Sequence, residues 1–307
     1  MDPLEFFAAS RLVIVAGKGG VGKTTVTAVL ARAAARLGQR VLVVDVEGRS
    51  GIAHLLGGAV DDELGYAERV LASGLGPGGT GEIHGRTISA GHALLDYLDA
   101  HSMGRLSKRL SKTGVFDVVS TAAPGIEDIL VLGKVKQLER SQAYDLVVLD
   151  GPAAGHAIPF LQAASGLLDA VHVGPIQTQA TDVAELLADP SRCQVMLVTL
   201  AEETPVNELV ETSYALEDRV GVALTPVVVN AVYPDRELAG VPAGGPVGEA
   251  AAFRRERCAL QHQQLARLAD ELPLGQLVLP FLFTAALGPA EIDALADHLV
   301  DAIGHLG

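Results

Sequence analysis

The sequence predicts an α/β protein built on a doubly wound, mostly parallel sheet. An apolar strand at 11–16 (RLVIVA) leads into a glycine-rich loop and then into an Ala- and Leu-rich helix at 26–37. A second strand at 40–46 (RVLVVDV) follows so closely that the three segments must form a parallel βαβ unit. Strands and helices then alternate with no internal repeat. We expect one domain over 1–307, with helical insertions at about 58–123 and 178–220.

The loop after the first strand reads GKGGVGKTT and fits the phosphate-binding pattern G-x-x-x-x-G-K-[ST]. Its glycines let the backbone approach an anion, and its N–H groups, with the positive end of the helix dipole, cradle phosphates. Lys23 would add a charge at the β/γ-phosphates, Thr24 would bind Mg²⁺, and Thr25 would cap toward the α-phosphate. The predicted nucleotide-binding residues here are Gly17, Gly19, Gly20, Val21, Gly22, Lys23, Thr24 and Thr25.

Lys18 is the unusual part of this loop, because one chain does not need a second lysine to hold phosphates. The two-lysine loop resembles the deviant Walker A family, which includes nitrogenase iron protein, MinD, ParA and the ArsA-type ATPases. In that family the first lysine reaches the nucleotide of the opposite subunit. The resemblance implies a dimer closing around two nucleotides, with Lys18 neutralising transition-state charge in trans. The alternative is a solvated loop lysine.

The strand at 40–46 carries carboxylates at its C-terminal end, where ligands bind in open α/β sheets. ArsA-type relatives have their first switch there, with an aspartate that orients the attacking water, and Glu47 falls on its position. The resemblance implies that Glu47 positions water and that Asp45 supports Mg²⁺. Glu in place of Asp leaves the rate of hydrolysis open. The alternative is that both carboxylates only cap the strand end.

A third apolar strand, YDLVVLD at 144–150, ends in Asp150 in the Walker B pattern, where the carboxylate would hold Mg²⁺ through a water. The next residues resemble the D-T-A-P-T-G-H-x-x-x-F-L second switch of the ArsA and tail-anchored-protein-targeting ATPases, with G-P-A-A replacing T-A-P-T. We expect the Gly151 N–H to sense the γ-phosphate. Gly155 and His156 keep their places, and His156 would link nucleotide state to the dimer face; the alternative is a plain loop histidine.

Base recognition is predicted at the ends of two later strands. Asn230 ends the strand at 222–230 and matches the family's adenine-contacting asparagine, whose amide offers a donor and an acceptor. The segment 280–283 (PFLF) falls where relatives wrap a loop over the adenine, and Pro280 and Phe281 are its predicted nucleotide contacts. The T-K-x-D pattern that reads guanine in related GTPases is missing, so ATP is preferred to GTP. The alternative for Asn230 is a strand-end turn.

Several other segments carry weaker expectations. The glycine-rich stretch at 73–85 predicts a mobile loop, and the apolar residues at 170–174 predict a strand. Helical pieces are expected at about 92–112, where a basic face would be either a docking patch for an acidic partner or simply solvated. Methionine content does not support the Met-rich client groove of the tail-anchored-targeting ATPases. The basic face comprises Arg105, Lys108, Arg109 and Lys112.

Composition limits the partners. The chain has 23 basic and 37 acidic residues, a net charge of −14, which disfavours generic binding to nucleic acid or anionic membranes. Cys193 and Cys258 lie far apart, so we expect neither a zinc site nor a metalloid cluster. No apolar run reaches the length of a membrane span, and the start does not resemble a signal peptide. A cytoplasmic protein without direct membrane insertion is therefore expected.

Together these patterns predict a dimeric, Mg²⁺-dependent enzyme that hydrolyses ATP to ADP and phosphate, of the ArsA and tail-anchored-targeting branch. Closure of the dimer would be coupled to a client or membrane-associated protein. A homodimer and a heterodimer with a paralogue are both open. One alternative is a MinD/ParA-like spatial regulator, which the acidic C-terminal helix disfavours. The other is a weakly hydrolysing nucleotide-binding subunit of a heterodimer.

Overall fold

A single sheet lies at the centre of the fold. The structure is a computed structural model that describes residues 1–46, 51–59, 62–100, 125–152, 154–235 and 244–306. The strand order in the described part is β3-β4-β2-β5-β1-β6-β8-β9, with β7 beside β6. Only β3 and β4 pair antiparallel; the other pairs are parallel. The strands are β1 (Leu12–Gly17), β2 (Arg40–Asp45), β3 (Arg69–Leu75), β4 (Gly81–Thr87), β5 (Leu146–Asp150), β6 (Cys193–Leu200), β7 (Ala223–Leu224), β8 (Val227–Val232) and β9 (Gln276–Pro280).

Helices cover both faces of the sheet. One face carries α1 (Pro3–Ala8), α2 (Lys23–Arg36), α3 (Ile52–Leu55) and α10 (Pro289–Gly304). The other carries α4 (Ala90–Ala100), α5 (Ile126–Arg140), α6 (Ala154–Ala170), α7 (Pro175–Ala188), α8 (Glu203–Val220) and α9 (Gly245–Glu271). Among the residues described, no helix is both long and apolar enough to cross a bilayer.

The two hydrophobic cores follow from the period of the strands. Successive side chains of a strand point to opposite faces. Accordingly, Ile14 and Leu149 pack in the core beneath α5 and α6, whereas Val15 and Val148 pack in the core beneath α2 and α10. Central parallel strands buried on both faces read as continuous apolar runs, as these strands do. The predicted fold class, an α/β protein with a doubly wound and mostly parallel sheet, is confirmed.

The prediction of a mobile loop at 73–85 is wrong. This stretch belongs to β3 and β4, an antiparallel hairpin that forms one edge of the sheet. Its glycines serve close packing against the end of α2. Gly76 is left-handed at φ +70°, and a Cβ there would lie 2.5 Å from the carbonyl oxygen of Arg36. A Cβ at Gly81 would overlap the Ala35 carbonyl. The glycine content therefore reflects a backbone contact that a local reading of the sequence does not contain.

The prediction of a strand at 170–174 is also wrong. Helix α6 continues to Ala170, and a short connection leads into α7 at Pro175. Val171 packs against the core, but Val173 is 82% exposed. A short apolar run cannot distinguish a strand from a helix end by periodicity alone.

The two ranges expected to hold helical insertions also contribute strands. Within 58–123 the structure places β3 and β4 in the sheet, and within 178–220 it places β6 there. Helix α4 covers the first part of the helical segment expected at 92–112. The predicted basic face on that segment lies outside the described residues.

Candidate nucleotide-binding site

The glycine loop connects β1 to α2 at the C-terminal edge of the sheet. Gly20 and Gly22 have φ values of +85° and +91°, which residues with a Cβ rarely adopt. Helix α2 begins at Lys23 directly after the left-handed Gly22. The loop N–H groups and the positive end of the helix dipole therefore meet at one place, an arrangement that binds anions. Residues 18–20 are exposed, so this place is open to a ligand.

Asn230 fixes the loop from the end of β8. Its Nδ2 donates a hydrogen bond of 3.0 Å to the backbone carbonyl oxygen of Val21. A Cβ at Gly22 would overlap that amide nitrogen, so Gly22 is required by space as well as by its dihedral angle. The sequence predicted that the Asn230 amide would offer both a donor and an acceptor to the base. The structure uses one N–H of the amide within the protein and leaves the second N–H and the Oδ1 acceptor.

Two buried carboxylates lie side by side next to the loop. Asp45 ends β2 and Asp150 ends β5, and the two residues are partners in the strand register. Asp150 accepts hydrogen bonds from the Thr24 hydroxyl at 2.7 Å and the Thr27 hydroxyl at 3.3 Å. Burial raises the pKa of Asp150 to about 6, and the negative charge of Asp45 acts in the same direction, against the lowering effect of the Thr24 hydrogen bond.

These oxygen donors fit a hard cation, since Mg²⁺ is held by carboxylates and hydroxyls together with substrate phosphates. A cation would also relieve the repulsion between the two buried carboxylates. Thr27 was missed by the sequence analysis, although it lies one helical turn after Thr24 and therefore on the same face of α2. Glu47, the residue expected to orient water, lies outside the described residues.

The two loop lysines have different environments. Lys23 Nζ donates to the backbone oxygen of Lys18 at 3.3 Å, so its ammonium group lies across the loop. Lys18 forms an ion pair with Glu208 in the middle of α8, and 46% of its side chain is exposed. The structure thus places Lys18 on its own chain's α8. Sequence reasoning missed Glu208, because nothing local links residues 190 positions apart.

The second switch begins where β5 ends. The Gly151 N–H donates to the Val15 carbonyl oxygen at 3.0 Å, and a Cβ at Gly151 would lie 2.5 Å from the same oxygen. The glycine is therefore needed for close approach to β1. Sensing of a γ-phosphate by this N–H stays a prediction, and it would require the bond to Val15 to break. Gly155 and His156 lie in the first turn of α6, with the His156 side chain exposed.

A cavity of about 260 Å³ opens beside the loop. Thr25 lies on one wall, Asn230 and Ala231 on a second, and Pro280 and Phe281 on a third. Small and apolar side chains suit a planar ring, and Asn230 adds a polar group at the edge. The predicted loop and base-contacting residues are therefore brought together. Leu282, which belongs to the predicted adenine loop at 280–283, also lines the cavity. The lining residues that the sequence analysis missed are Thr284, Ala285, Ala286, Leu287 and Leu295.

Comparison with known proteins identifies related ATPases. The family model "Anion-transporting ATPase" (ArsA_ATPase) matches residues 10–173, more than half of the chain. The ATPase BagA of Mycobacterium tuberculosis is 31% identical over 302 residues, covering 96% of this chain and 79% of that protein. A putative arsenical pump-driving ATPase of Halobacterium salinarum is 24% identical over 312 residues, covering 96% of this chain and 45% of that protein.

Another relative aligns with half of the chain. The ATPase GET3 of Chaetomium globosum is 27% identical over 153 residues, which is 50% of this chain and 42% of that protein. The family match contains the glycine loop, both buried carboxylates and the start of the second switch. The chain therefore belongs to the ArsA family of anion-transporting ATPases.

Proposed function

We propose that the protein is a Mg²⁺-dependent ATPase. The observation that carries the proposal is the hydrogen bond between Thr24, at the start of α2, and the buried Asp150. It joins the phosphate loop to a carboxylate pair at the same edge of the sheet. Thr24 and Asp150, with Asp45 behind them, would hold Mg²⁺. When bound there, Mg²⁺ neutralises negative charge on the β- and γ-phosphates.

The geometry around Asn230 supports adenine as the base. The Asn230 amide donates one of its two N–H groups to the loop, which leaves the Oδ1 acceptor and the second N–H for a ligand. An acceptor pairs with the 6-amino group of adenine and opposes the 6-oxo group of guanine. Pro280 and Phe281 would cover the ring from the β9 side of the cavity.

Hydrolysis would be completed by a second subunit. Lys18 would leave Glu208 when two chains close and would place its charge on the partner's nucleotide, as the two-lysine loop implies. Glu47 would orient the attacking water. The second subunit is either another copy or a paralogue. Gly151, Gly155 and His156 would pass the nucleotide state to the dimer face.

The proposed output is the coupling of this cycle to another protein. One relative is named for driving an arsenical pump, and others carry the name GET3. We infer that opening and closing of the dimer regulate binding to a client or membrane-associated partner. Two cysteines do not supply the three ligands of a metalloid cluster, and of the two Cys193 is buried and Cys258 is half-buried.

Single-turnover ATP hydrolysis by the isolated chain, with and without Mg²⁺, tests the proposal. We expect hydrolysis that depends on Mg²⁺ and falls about 100-fold or more in Lys23→Ala, because charge stabilisation at a transferring phosphoryl group has effects of that size. Asp270→Asn, an exposed change on α9, is the control. Wild-type hydrolysis in Lys23→Ala would contradict the proposal, and ATP binding without turnover would favour a weakly hydrolysing subunit.

A MinD/ParA-like role on nucleoid or membrane makes a different prediction. A net charge of −14 repels both DNA and anionic lipid. We therefore expect the protein with ATP and Mg²⁺ to stay in the supernatant when DNA or anionic vesicles are pelleted. ATP-dependent co-sedimentation with either would favour that alternative.

A further inference from the structure

The end of strand β8 contains a bulge next to the base cavity. Val229 pairs with Val278 of β9 and Val232 pairs with Pro280, so three steps on β8 face two on β9. Ala231 lies within this bulge with φ +56°, a left-handed conformation that costs free energy for a residue with a Cβ. Bulges disrupt the hydrogen-bond ladder and redirect side chains. Something outside the two strands must therefore hold this backbone in place.

That support comes from Gln261 on α9, whose side chain is buried with only 4% of its surface exposed. Its Oε1 accepts a hydrogen bond of 2.8 Å from the Tyr233 N–H. Its Nε2 donates to the Ala231 carbonyl oxygen at 3.3 Å. One side-chain amide thus satisfies a backbone donor and a backbone acceptor on either side of Val232. Buried peptide groups require such partners, because leaving them unpaired is costly.

The bulge sets the geometry of two walls of the cavity. Asn230, directly before Ala231, reaches the Val21 carbonyl oxygen of the phosphate loop. On the other side, the Phe281 N–H donates to the Val232 carbonyl oxygen at 2.7 Å. If Ala231 relaxed to a negative φ, both the direction of the Asn230 side chain and the position of Phe281 would change.

We propose that Gln261 is a positioning residue of the nucleotide pocket, which holds the left-handed bulge at Ala231 and thereby fixes the Asn230 acceptor that selects adenine. The inference rests on the proposed function, since it concerns the same ligand. It adds a determinant of specificity on a helix that does not line the cavity.

Nucleotide binding by Gln261→Met tests the role, because methionine keeps the length of the side chain and removes both hydrogen bonds. We expect ATP affinity to fall about tenfold, the effect of losing buried hydrogen bonds, with a smaller loss for GTP. The preference for ATP over GTP therefore narrows.

Gln263→Met is the matched control, since Gln263 lies exposed on the same helix. Binding is measured by calorimetry on the full chain with Mg²⁺, beside its thermal unfolding.

The Ala231→Gly variant provides an independent test of the same proposal. Glycine adopts the left-handed conformation without strain, so the bulge then depends less on Gln261. We expect the double variant Ala231→Gly/Gln261→Met to regain most of the lost ATP preference, a non-additive result. If Gln261→Met does not fold, Gln261→Glu takes its place. In its ionised form it keeps an acceptor for the Tyr233 N–H but has no proton to donate to Ala231, so the preference for ATP over GTP should still narrow when binding is measured at high pH.

Unchanged ATP affinity and unchanged preference in a folded Gln261 variant would overturn the inference. An equal loss for ATP and GTP, or an equal effect of Gln263→Met, would also overturn it, because either indicates a purely structural role. Wild-type protein that bound no ATP would overturn the proposed function as well. The two failures are therefore distinguishable in one experiment.

Discussion

At the scale of single residues, Asp150 is a buried carboxylate at the proposed Mg²⁺ site. The carboxylate is buried beside Asp45, and burial raises its pKa from 3.8 to about 6. Hydrogen bonds from Thr24 and Thr27 offset only part of that effect. Such a group destabilises the folded protein when it is ionised, and a bound cation would remove the penalty.

Asp150→Asn is therefore expected to stabilise the ligand-free protein at high pH. The folded pKa of about 6 lies above the unfolded value of 3.8, so wild-type stability falls as pH rises through this window. Above pH 6, the free energy of unfolding of the variant should exceed that of the wild type by about 2–3 kcal/mol, the equivalent of roughly two pKa units. The gap should close as pH falls toward 4. Urea denaturation across this pH range measures it.

The exposed Asp270→Asn variant is the control and should show no such pH-dependent gap. A stability difference that is the same at pH 4 and pH 8 would contradict the assigned cause.

Gly22 offers a second test at this scale. It combines a left-handed φ of +91° with a Cβ position that would overlap the Asn230 amide. Gly22→Ala should lower the free energy of unfolding by about 1–2 kcal/mol from backbone strain alone. It should also weaken ATP binding, because Asn230 is displaced. Chemical denaturation and calorimetry measure the two effects.

Gly19→Ala is the stability control for this variant, since a Cβ at Gly19 would meet no atom within 4 Å. Equal destabilisation by the two substitutions would contradict the argument from conformation and space.

At the scale of elements, α8 holds the loop lysine in the single chain. The Lys18–Glu208 ion pair is partly exposed, with side-chain exposures of 46% and 34%. Pairs of this kind contribute less than about 1 kcal/mol. The pair can therefore bias the resting position of Lys18 without preventing its release.

If Lys18 acts in trans, Glu208→Gln should raise ATP hydrolysis up to about fivefold at low protein concentration, the equivalent of about 1 kcal/mol. Glu211→Gln, exposed on the same helix, should have no effect. The increase should vanish in a Lys18→Ala background, because the two residues then no longer compete. ATPase rates measured against protein concentration test this, and an equal increase without Lys18 would contradict it.

Elements whose ends carry chemistry were predictable from the sequence. Strands β1, β2 and β5 are continuous apolar runs that end in a glycine or a carboxylate, so both their burial and their orientation could be predicted. The β3–β4 hairpin could not be predicted, because its glycines are required by backbone contacts with the end of α2 and not by the residues next to them in sequence. The apolar residues at 170–174 were ambiguous for a different reason, because a short apolar run does not distinguish a strand from a helix end.

The site itself divides in the same way. The glycine loop and Asp150 belong to local patterns and were found. Glu208 and Gln261 act through contacts with residues 190 and 30 positions away, which no local pattern contains. The hydrogen bond from Asn230 to Val21 was not predictable for the same reason, because the two residues lie 209 positions apart. The role of Glu47 stays a prediction.

At the scale of the whole molecule, one edge of the sheet gathers the phosphate loop, the carboxylate pair and the base cavity. The loop residue Lys18 is the exception, because its ammonium group forms an ion pair with Glu208 of α8. The central claim is that two chains must meet for hydrolysis. Complementation between two inactive variants tests that claim most directly.

The measurement is the ATPase rate of Lys18→Ala mixed with Asp150→Asn. Each variant alone should be inactive. In the mixture about half of the dimers are mixed and each holds one complete site, so about a quarter of the wild-type rate should return. A mixture that stays inactive, while both variants fold and bind ATP, would contradict the account.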